Sequence, residues 1–362
     1  MTPLEAEIRR IIAVDGPMSV AAFMRLCLSH PLHGYYTTRD PLGRGGDFIT
    51  APEISQMFGE LIGLWAVAVW QAMGAPPKLA LVELGPGRGT LMADALRAVR
   101  IAPAFAAALA VHLVETSPVL ERLQQERLAG LGVRIAWHRD LAGVPDGPLI
   151  LIANEFFDAL PVHQAVRTAA GWHERMVGIE GGRLVFALHP DPIPAFAAVL
   201  PRRLADAPAG AVYEWRSGDV VAEVARRVAG YGGAALALDY GHRDSALGET
   251  LQAVGRHGFA DPLATPGEID LTAHVDFAAL ARAADAAGAR VHGPVAQGEF
   301  LRRLGIAARA TALRANATAA QAADIDAALV RLTGAGRDAM GELFKAIAFA
   351  DPTLATLPGF DS

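Results

Sequence analysis

The chain lacks several features that would assign it to other classes of protein. It has 362 residues but only one cysteine, Cys27. A single thiol can form neither an intramolecular disulfide nor a zinc site built on several thiolates, so we expect a reducing compartment and a cytoplasmic location. Only 19% of the residues are charged, and the formal charge of −6 lacks the basic excess of a nucleic-acid-binding protein. Protein or small-molecule partners are therefore expected, and no nucleic acid.

A long hydrophobic run is also missing. The most apolar stretch, residues 61–70, is about half of the ~20 residues that span a bilayer, so it predicts a buried helix and no membrane insertion. The first residues mix charged and aliphatic side chains, which indicates an amphipathic helix and not a signal peptide. The histidines do not have the spacing of a metal site, and no metal is expected.

From residue 78 onward, short apolar runs alternate with helical stretches. The runs lie at 79–84, 110–114, 133–137, 149–153 and 234–238. Apolar runs bounded by turn residues, with helices between them, are typical of βαβ units and of a parallel sheet covered on both faces. We therefore predict an α/β fold with a doubly wound, Rossmann-like sheet, whose ligand site lies at the carboxyl ends of the strands.

Three segments are predicted along the chain. Residues 1–77 form a helical and loop segment, and residues 78–280 form the core with an inserted element at about 161–233. Residues 281–362 are rich in Ala, Leu and Arg, and no strand pattern is visible up to about residue 343, which predicts a helical subdomain. In the insertion, two apolar stretches flank Glu180-Gly181-Gly182 and predict a hairpin.

A glycine-rich turn follows the first parallel strand. Three glycines stand at alternate positions between a strand and a helix, where they let the backbone approach a cofactor closely, although a plain tight turn is the alternative. Thr90 is expected to cap the helix. A dinucleotide-binding loop has its third glycine where this chain has Thr90, so S-adenosylmethionine (SAM) is favoured over NAD. The predicted cofactor contacts are Glu83, Gly85, Gly87, Arg88 and Gly89.

Polar residues also follow the next three strands. Glu115 can accept hydrogen bonds from two ribose hydroxyls, of NAD or SAM alike, or it is a carboxylate favoured in a first helical turn. Asp140 is predicted to bind the adenine amine, although a solvated turn aspartate fits as well. Methyl transfer needs in-line approach and a stabilised cationic acceptor, so Glu155 and Asp158 are predicted to be catalytic and Asn154 to contact the cofactor. Helix capping by both acids is the alternative.

Five sequence blocks resemble the MidA-type methyltransferase family, which includes a mitochondrial assembly factor for respiratory complex I. They lie in the family's order at 46–60, 83–91, 154–164, 239–241 and 266–277. The resemblance extends from about residue 14 to residue 280. It implies a class I SAM-dependent methyltransferase fold and methylation of a protein side chain, arginine foremost, with a complex I subunit as a candidate substrate.

The resemblance also implies roles for single residues. Asp47, Thr50 and Pro52 would belong to a lid over the methionine end of the cofactor, and Asp239 and the 270–274 stretch would lie near the acceptor. His274 is a candidate orienting or basic group because an unperturbed histidine titrates near neutral pH. The alternative function is a SAM-binding assembly factor without catalysis, for which the helix with Trp65 and Trp70 could supply an interface, although core packing is the simpler use of both rings.

Overall fold

The structure is a computed structural model that describes residues 1–39, 50–255, 258–336 and 339–360. Asp47, predicted to lie in the lid, falls outside the described residues. The helices are α1 (Pro3–Asp15), α2 (Val20–Ser29), α3 (Tyr35–Thr38), α4 (Ala51–Ile54), α5 (Gln56–Ala72), α6 (Thr90–Ala98), α7 (Pro103–Ala108), α8 (Pro118–Leu128), α9 (Asp219–Tyr231), α10 (Phe277–Ala286), α11 (Gln297–Arg303), α12 (Ile306–Arg314) and α13 (Ala319–Thr333). The strands are β1 (Met18–Ser19), β2 (Leu79–Leu84), β3 (Leu109–Val114), β4 (Ile135–His138), β5 (Leu149–Asn154), β6 (His163–Thr168), β7 (Gly171–Glu180), β8 (Arg183–Leu188), β9 (Val212–Trp215), β10 (Gly233–His242), β11 (Gln252–Gly255), β12 (Gly258–Ala260), β13 (Asp270–Thr272), β14 (Val275–Asp276), β15 (Arg290–Ala296) and β16 (Phe344–Ala350).

The main sheet has the strand order β15-β16-β10-β5-β2-β3-β4, and β14 pairs with β10. Strands β4, β3, β2, β5 and β10 are parallel, whereas β16 is antiparallel to both of its neighbours. The five apolar runs predicted as strands are these five parallel strands. The prediction of a doubly wound α/β fold is confirmed, and the order reverses between β2 and β5, where such folds bind their ligands.

Helix α5 packs against α6 on one face of this sheet. Gly59 and Gly63 lie one turn apart on α5 and let the two backbones approach, since a Cβ at Gly63 would lie 2.8 Å from the Cα of Ala95. Trp65 is 1% exposed, and its indole nitrogen donates to the Pro358 carbonyl at 3.1 Å. Trp70 is also buried. Both tryptophans therefore belong to the core, and not to an exposed interface.

The strands of the inserted element form an antiparallel sheet together with β1 of the N-terminal segment, in the order β1-β7-β6-β9, and β8 pairs with β7. The predicted hairpin is present, because β7 and β8 pair up to Glu180 and Arg183, and Gly181 and Gly182 between them both have a positive φ. Helix α9 is the crossover helix that leads into β10. The antiparallel insertion thus ends with β9, earlier than the predicted boundary near residue 233.

The segment 281–362 is not purely helical. Strand β15 lies inside the stretch that was expected to have no strand, and β16 completes the main sheet beside β10. Gly293 and Pro294 interrupt the apolar pattern of β15, which hides the strand in the sequence. Strand β16 is almost entirely buried, so apart from Lys345 its residues are apolar and do not alternate with polar ones. The division into three segments stays a prediction.

Within the described ranges, no helix is both long and apolar enough to cross a membrane.

Candidate active site

A cavity of about 1120 Å³ opens at the carboxyl ends of the parallel strands. Most of the residues predicted for the site line this cavity, namely Thr50, Pro52, Glu83, Gly85, Gly87, Arg88, Glu115, Asp140, Asn154, Glu155, Asp158 and His274. Gly89 and Asp239 are described but do not line it. The fold therefore brings residues from four strand ends and from the segment before α5 around one space.

The glycine turn after β2 has the backbone that its sequence predicts. Gly85, Gly87 and Gly89 have φ values of 61°, 55° and 74°, in the left-handed region that favours glycine. Gly89 is the N-cap of α6, and no side chain of the described residues caps this helix. The prediction that Thr90 caps the helix is wrong, because Thr90 is already the first helical residue and its hydroxyl donates to Glu53. The uncapped helix start can receive polar groups of a ligand.

One buried glutamine connects the glycine turn with the carboxylate after β3. Gln124 is 0% exposed, and its amide nitrogen donates to the Gly87 carbonyl at 2.7 Å and to Glu115 Oε2 at 3.0 Å. Its amide oxygen accepts from the Trp137 indole at 3.0 Å. No role was predicted for Gln124, although it is a polar residue at an apolar position of α8, between the buried Leu120 and Leu128.

Two carboxylates at the ends of β2 and β3 share this part of the cavity. Burial, with the charge of Glu115 as a second cause, raises the pKa of Glu83 to about 8. Burial also raises the pKa of Glu115, although hydrogen bonds from the Ser117 N–H and Gln124 oppose that shift. Within the described residues Glu83 Oε2 has no hydrogen-bond partner. A ligand with positive groups would supply that partner, and SAM carries both an ammonium and a sulfonium, so these residues fit SAM.

Asp140 is exposed in the turn after β4, where its Oδ1 accepts from the Gly143 N–H at 3.0 Å. It lines the cavity beside the apolar Val114 and Leu141. Its carboxylate thus closes a turn and faces the cavity as well, so contact with the adenine amine stays a prediction.

Glu155 lies at the end of the cavity where the methyl acceptor is expected, which we call the acceptor end. It has a φ of 48°, which is unusual for a residue other than glycine and indicates a strained turn directly after β5. Its Oε1 accepts from the Ala51 N–H at 3.0 Å and from the Asn154 amide at 3.2 Å. Burial raises the pKa of Glu155 to about 7. The hydrogen bond to Ala51 ties α4 to the end of β5.

Asp239, which was predicted to lie near the acceptor, does not itself line the cavity. It is 0% exposed, and its Oδ2 accepts from the N–H groups of Phe157 and Asp158 at 2.9 and 3.1 Å. Its Oδ1 accepts from the Tyr240 N–H at 2.9 Å. Because three backbone donors bond to this carboxylate, Asp239 holds the turn that carries Asp158, and a catalytic role for Asp239 stays a prediction.

Asp158 itself lies at the cavity wall and is 6% exposed. Burial raises its pKa, whereas a hydrogen bond with the Tyr240 side chain acts in the opposite direction. Its Oδ1 has no hydrogen-bond partner within the described part of the chain. A cationic acceptor would provide one.

Two tyrosines for which no role was predicted complete the acceptor end. The Tyr36 hydroxyl donates to Asp270 Oδ2 at 2.8 Å, and Tyr240 forms side-chain hydrogen bonds with Thr272 and Asp158. All five residues line the cavity. Burial and the nearby carboxylates raise the pKa of both tyrosines well above the ordinary value.

His274 stands edge-on to the Tyr240 ring, with 5.5 Å between the ring centres. Burial, with the charge of His242 as a second cause, lowers the pKa of His274, so its ring is neutral at neutral pH. The ring lines the cavity as predicted. A catalytic role for His274 stays a prediction.

Comparison with known proteins identifies the family. Residues 61–295 match the family model described as "Putative S-adenosyl-L-methionine-dependent methyltransferase". The chain is 40% identical to the mouse protein arginine methyltransferase NDUFAF7, mitochondrial, over 85% of this chain and 76% of the mouse protein. It is 37% identical to the Drosophila melanogaster homologue, over 97% of this chain and 86% of that protein.

A solved structure shows the same fold with a cofactor product. It is a COG1565 superfamily member from Burkholderia thailandensis bound to S-adenosyl-homocysteine, with 32% identity and a TM-score of 0.80, covering 99% of this chain and 92% of that one.

These relatives correct one prediction and confirm others. The expected cytoplasmic location is wrong, because the curated relatives are mitochondrial proteins. A low cysteine count indicates a reducing compartment, but it does not distinguish the cytoplasm from another reducing compartment. The choice of SAM over NAD is confirmed, and so are the enzyme class and the resemblance. The chain belongs to the S-adenosyl-L-methionine-dependent methyltransferase family that this model describes.

Proposed function

We propose that this enzyme transfers the methyl group of SAM to an arginine side chain of a protein, and that Glu155 and Asp158 hold that side chain. The observation that carries the proposal is the acidic acceptor end of the cavity, where the carboxylates of Glu155, Asp158 and Asp270 lie with two tyrosines. A guanidinium is planar, keeps its charge in water and donates five hydrogen bonds, so it suits a site with several carboxylates. The names of the curated relatives support arginine as the acceptor.

Residues of this chain can meet two requirements of the reaction, the positioning of the acceptor nitrogen and the removal of its proton. Bound SAM supplies a methyl group on a positively charged sulfur. The acceptor nitrogen must approach in line and lose a proton as the new bond forms, and both requirements are met by carboxylates at a partly dry site. With a pKa of about 7, Glu155 can take up that proton at neutral pH and release it again. Asp158 would balance the charge of the guanidinium.

A subunit of respiratory complex I is the candidate substrate that the family resemblance implies. The acidic acceptor end requires only that the arginine be accessible on a flexible or exposed segment. We therefore propose the residue type from the chemistry of the site, and the complex I subunit from the resemblance alone.

The test uses SAM with a tritiated methyl group and a panel of peptides that contain one arginine, each with a matched lysine peptide. Label on the arginine side chain is expected, and none on lysine. Glu155→Gln and Asp158→Asn should each lower kcat/KM by about 100-fold or more, since general acid-base groups contribute that much. The affinity for SAM, measured by calorimetry, should change little.

Glu223→Gln is the matched control, because Glu223 is an acidic residue on α9 that does not line the cavity. It should leave both quantities unchanged. Label on lysine, or full activity in both cavity variants, would contradict the proposal.

A further inference from the structure

The last strand of the inserted sheet ends at an arginine that makes an unusual set of hydrogen bonds. Arg216 follows β9, and its guanidinium donates to four backbone carbonyls. Nε donates to Leu160 at 3.1 Å and Nη1 to His274 at 2.8 Å. Nη2 donates to Asp158 at 3.3 Å and to Ala273 at 2.6 Å. One side chain thus joins two segments that are more than 110 positions apart in the sequence.

Both of these segments form the acceptor end of the cavity. Asp158 and Leu160 belong to the turn after β5, and His274 lies between β13 and β14. The two segments also meet directly, since the Ala273 N–H donates to the Asp158 carbonyl at 3.2 Å. A guanidinium is suited to this place because its planar fork presents several donors in fixed directions.

A side chain of β9 bonds to a third loop. Glu214 lies in this strand, two residues before Arg216. Its carboxylate accepts from the Thr250 hydroxyl and from the N–H groups of Thr250 and Leu251, at 3.1 and 3.2 Å for the two N–H groups. The Thr250 hydroxyl in turn accepts from the His274 N–H at 2.9 Å.

We infer that Arg216 is a positioning residue for methyl transfer, which sets the distance between the Asp158 turn and the His274 segment and so shapes the acceptor end. The inserted sheet then has a defined part in catalysis: β9 contains Glu214 and is followed by Arg216, and these two side chains fix three loops around the acceptor. The activity test of this inference rests on the proposed arginine methylation. A second test does not depend on any substrate.

The activity test compares Arg216→Lys and Arg216→Gln with the wild type, on the arginine peptide that the wild type methylates best. An ammonium keeps the positive charge, but it is a single point and cannot span four carbonyls. Both variants should therefore lose about 100-fold in kcat, the cost of misplacing a reacting group by about 1 Å. The calorimetric affinity for SAM should stay within about threefold, because Arg216 does not line the cavity where SAM is expected.

Arg167→Lys is the matched control, since Arg167 lies on β6 in the same inserted sheet. It should behave like the wild type. Normal kcat in Arg216→Lys, or a loss of SAM affinity as large as the loss of kcat, would overturn the inference. If the wild type labels no arginine peptide, the proposed function fails, and the substrate-free test below decides on Arg216 alone.

The substrate-free test is amide hydrogen exchange on the whole protein. In Arg216→Lys, faster exchange is expected at residues 157–160 and 273–274, with unchanged exchange in the glycine turn after β2. Thr250→Val is a milder second variant, because it removes only the hydroxyl that accepts from the His274 N–H. The amide of residue 274 should exchange faster in Thr250→Val, and this variant should fold even if Arg216→Lys does not. Unchanged exchange at these amides in a folded variant would refute the positioning role.

Discussion

The buried link made by Gln124 permits a prediction whose size follows from the structure. Gln124→Met replaces the amide by an apolar chain of similar length. The Gly87 carbonyl, Glu115 Oε2 and the Trp137 indole each lose a hydrogen bond in a buried place. A neutral bond contributes about 1 kcal/mol and a bond to a charged group roughly 1.5 to 3 kcal/mol, so the free energy of unfolding should fall by about 4 kcal/mol.

The same change should weaken SAM binding, because Glu115 and the glycine turn lose the group that holds them together. A tenfold rise in Kd corresponds to about 1.4 kcal/mol, and a rise of at least that size is expected. Urea denaturation measures the stability, and calorimetric titration with SAM measures the affinity.

Gln125→Met is the matched control on the same helix. Gln125 is exposed and makes one hydrogen bond, to Glu121 at 3.1 Å, so the change should cost at most about 0.5 kcal/mol. If Gln124→Met were no more damaging than Gln125→Met in either assay, the link between the glycine turn and Glu115 would have no energetic importance.

Two further predictions concern Glu83 and the glycine turn. The pKa of Glu83 is about 8 in the folded protein, against an ordinary value of 4.5, so the folded state keeps the proton to higher pH than the unfolded state. The contribution of Glu83 to the free energy of unfolding is therefore fully present below about pH 4.5 and is lost as the pH rises to about 8. Glu83→Gln should therefore lose less stability than the wild type between pH 5 and pH 8 in urea titrations, and parallel pH curves would refute this. Gly85→Ala should cost roughly 1 to 2 kcal/mol in backbone strain and also raise the Kd for SAM, since its Cβ would lie 3.0 Å from the Phe156 ring. Gly74→Ala, with a similar φ but open space around it, should show the strain alone, and an equal effect of both changes on SAM binding would contradict the close approach at Gly85.

The sequence was sufficient to predict the five parallel strands and a part of the cavity wall. The parallel strands are apolar runs bounded by turn residues, and in a doubly wound fold the positions after such strands converge at one edge. Glu83, Glu115 and Glu155 could therefore be placed together without a structure. The hairpin at Gly181-Gly182 was predictable because local turn chemistry determines it.

Residues that act through distant partners could not be found in this way. Tyr36 and Asp270 are 234 positions apart, and no local pattern relates them. The bonds of Arg216 depend in the same way on how the inserted sheet packs against the core. Asp239 shows another limit: two of the three backbone donors that bond to its carboxylate come from residues that a sequence does not relate to it, so its support of the Asp158 turn could not be foreseen.

The order of strands in the main sheet has a consequence for synthesis of the chain on the ribosome. Among the strands that the structure describes, β15 pairs in this sheet only with β16, and β16 fills the place between β15 and β10. Until residues 344–350 have emerged, β10 has an open edge and β15 has no partner in the sheet. Nascent chains that stop before residue 344 would therefore expose an apolar strand edge, the kind of surface that chaperones cover and that otherwise drives aggregation.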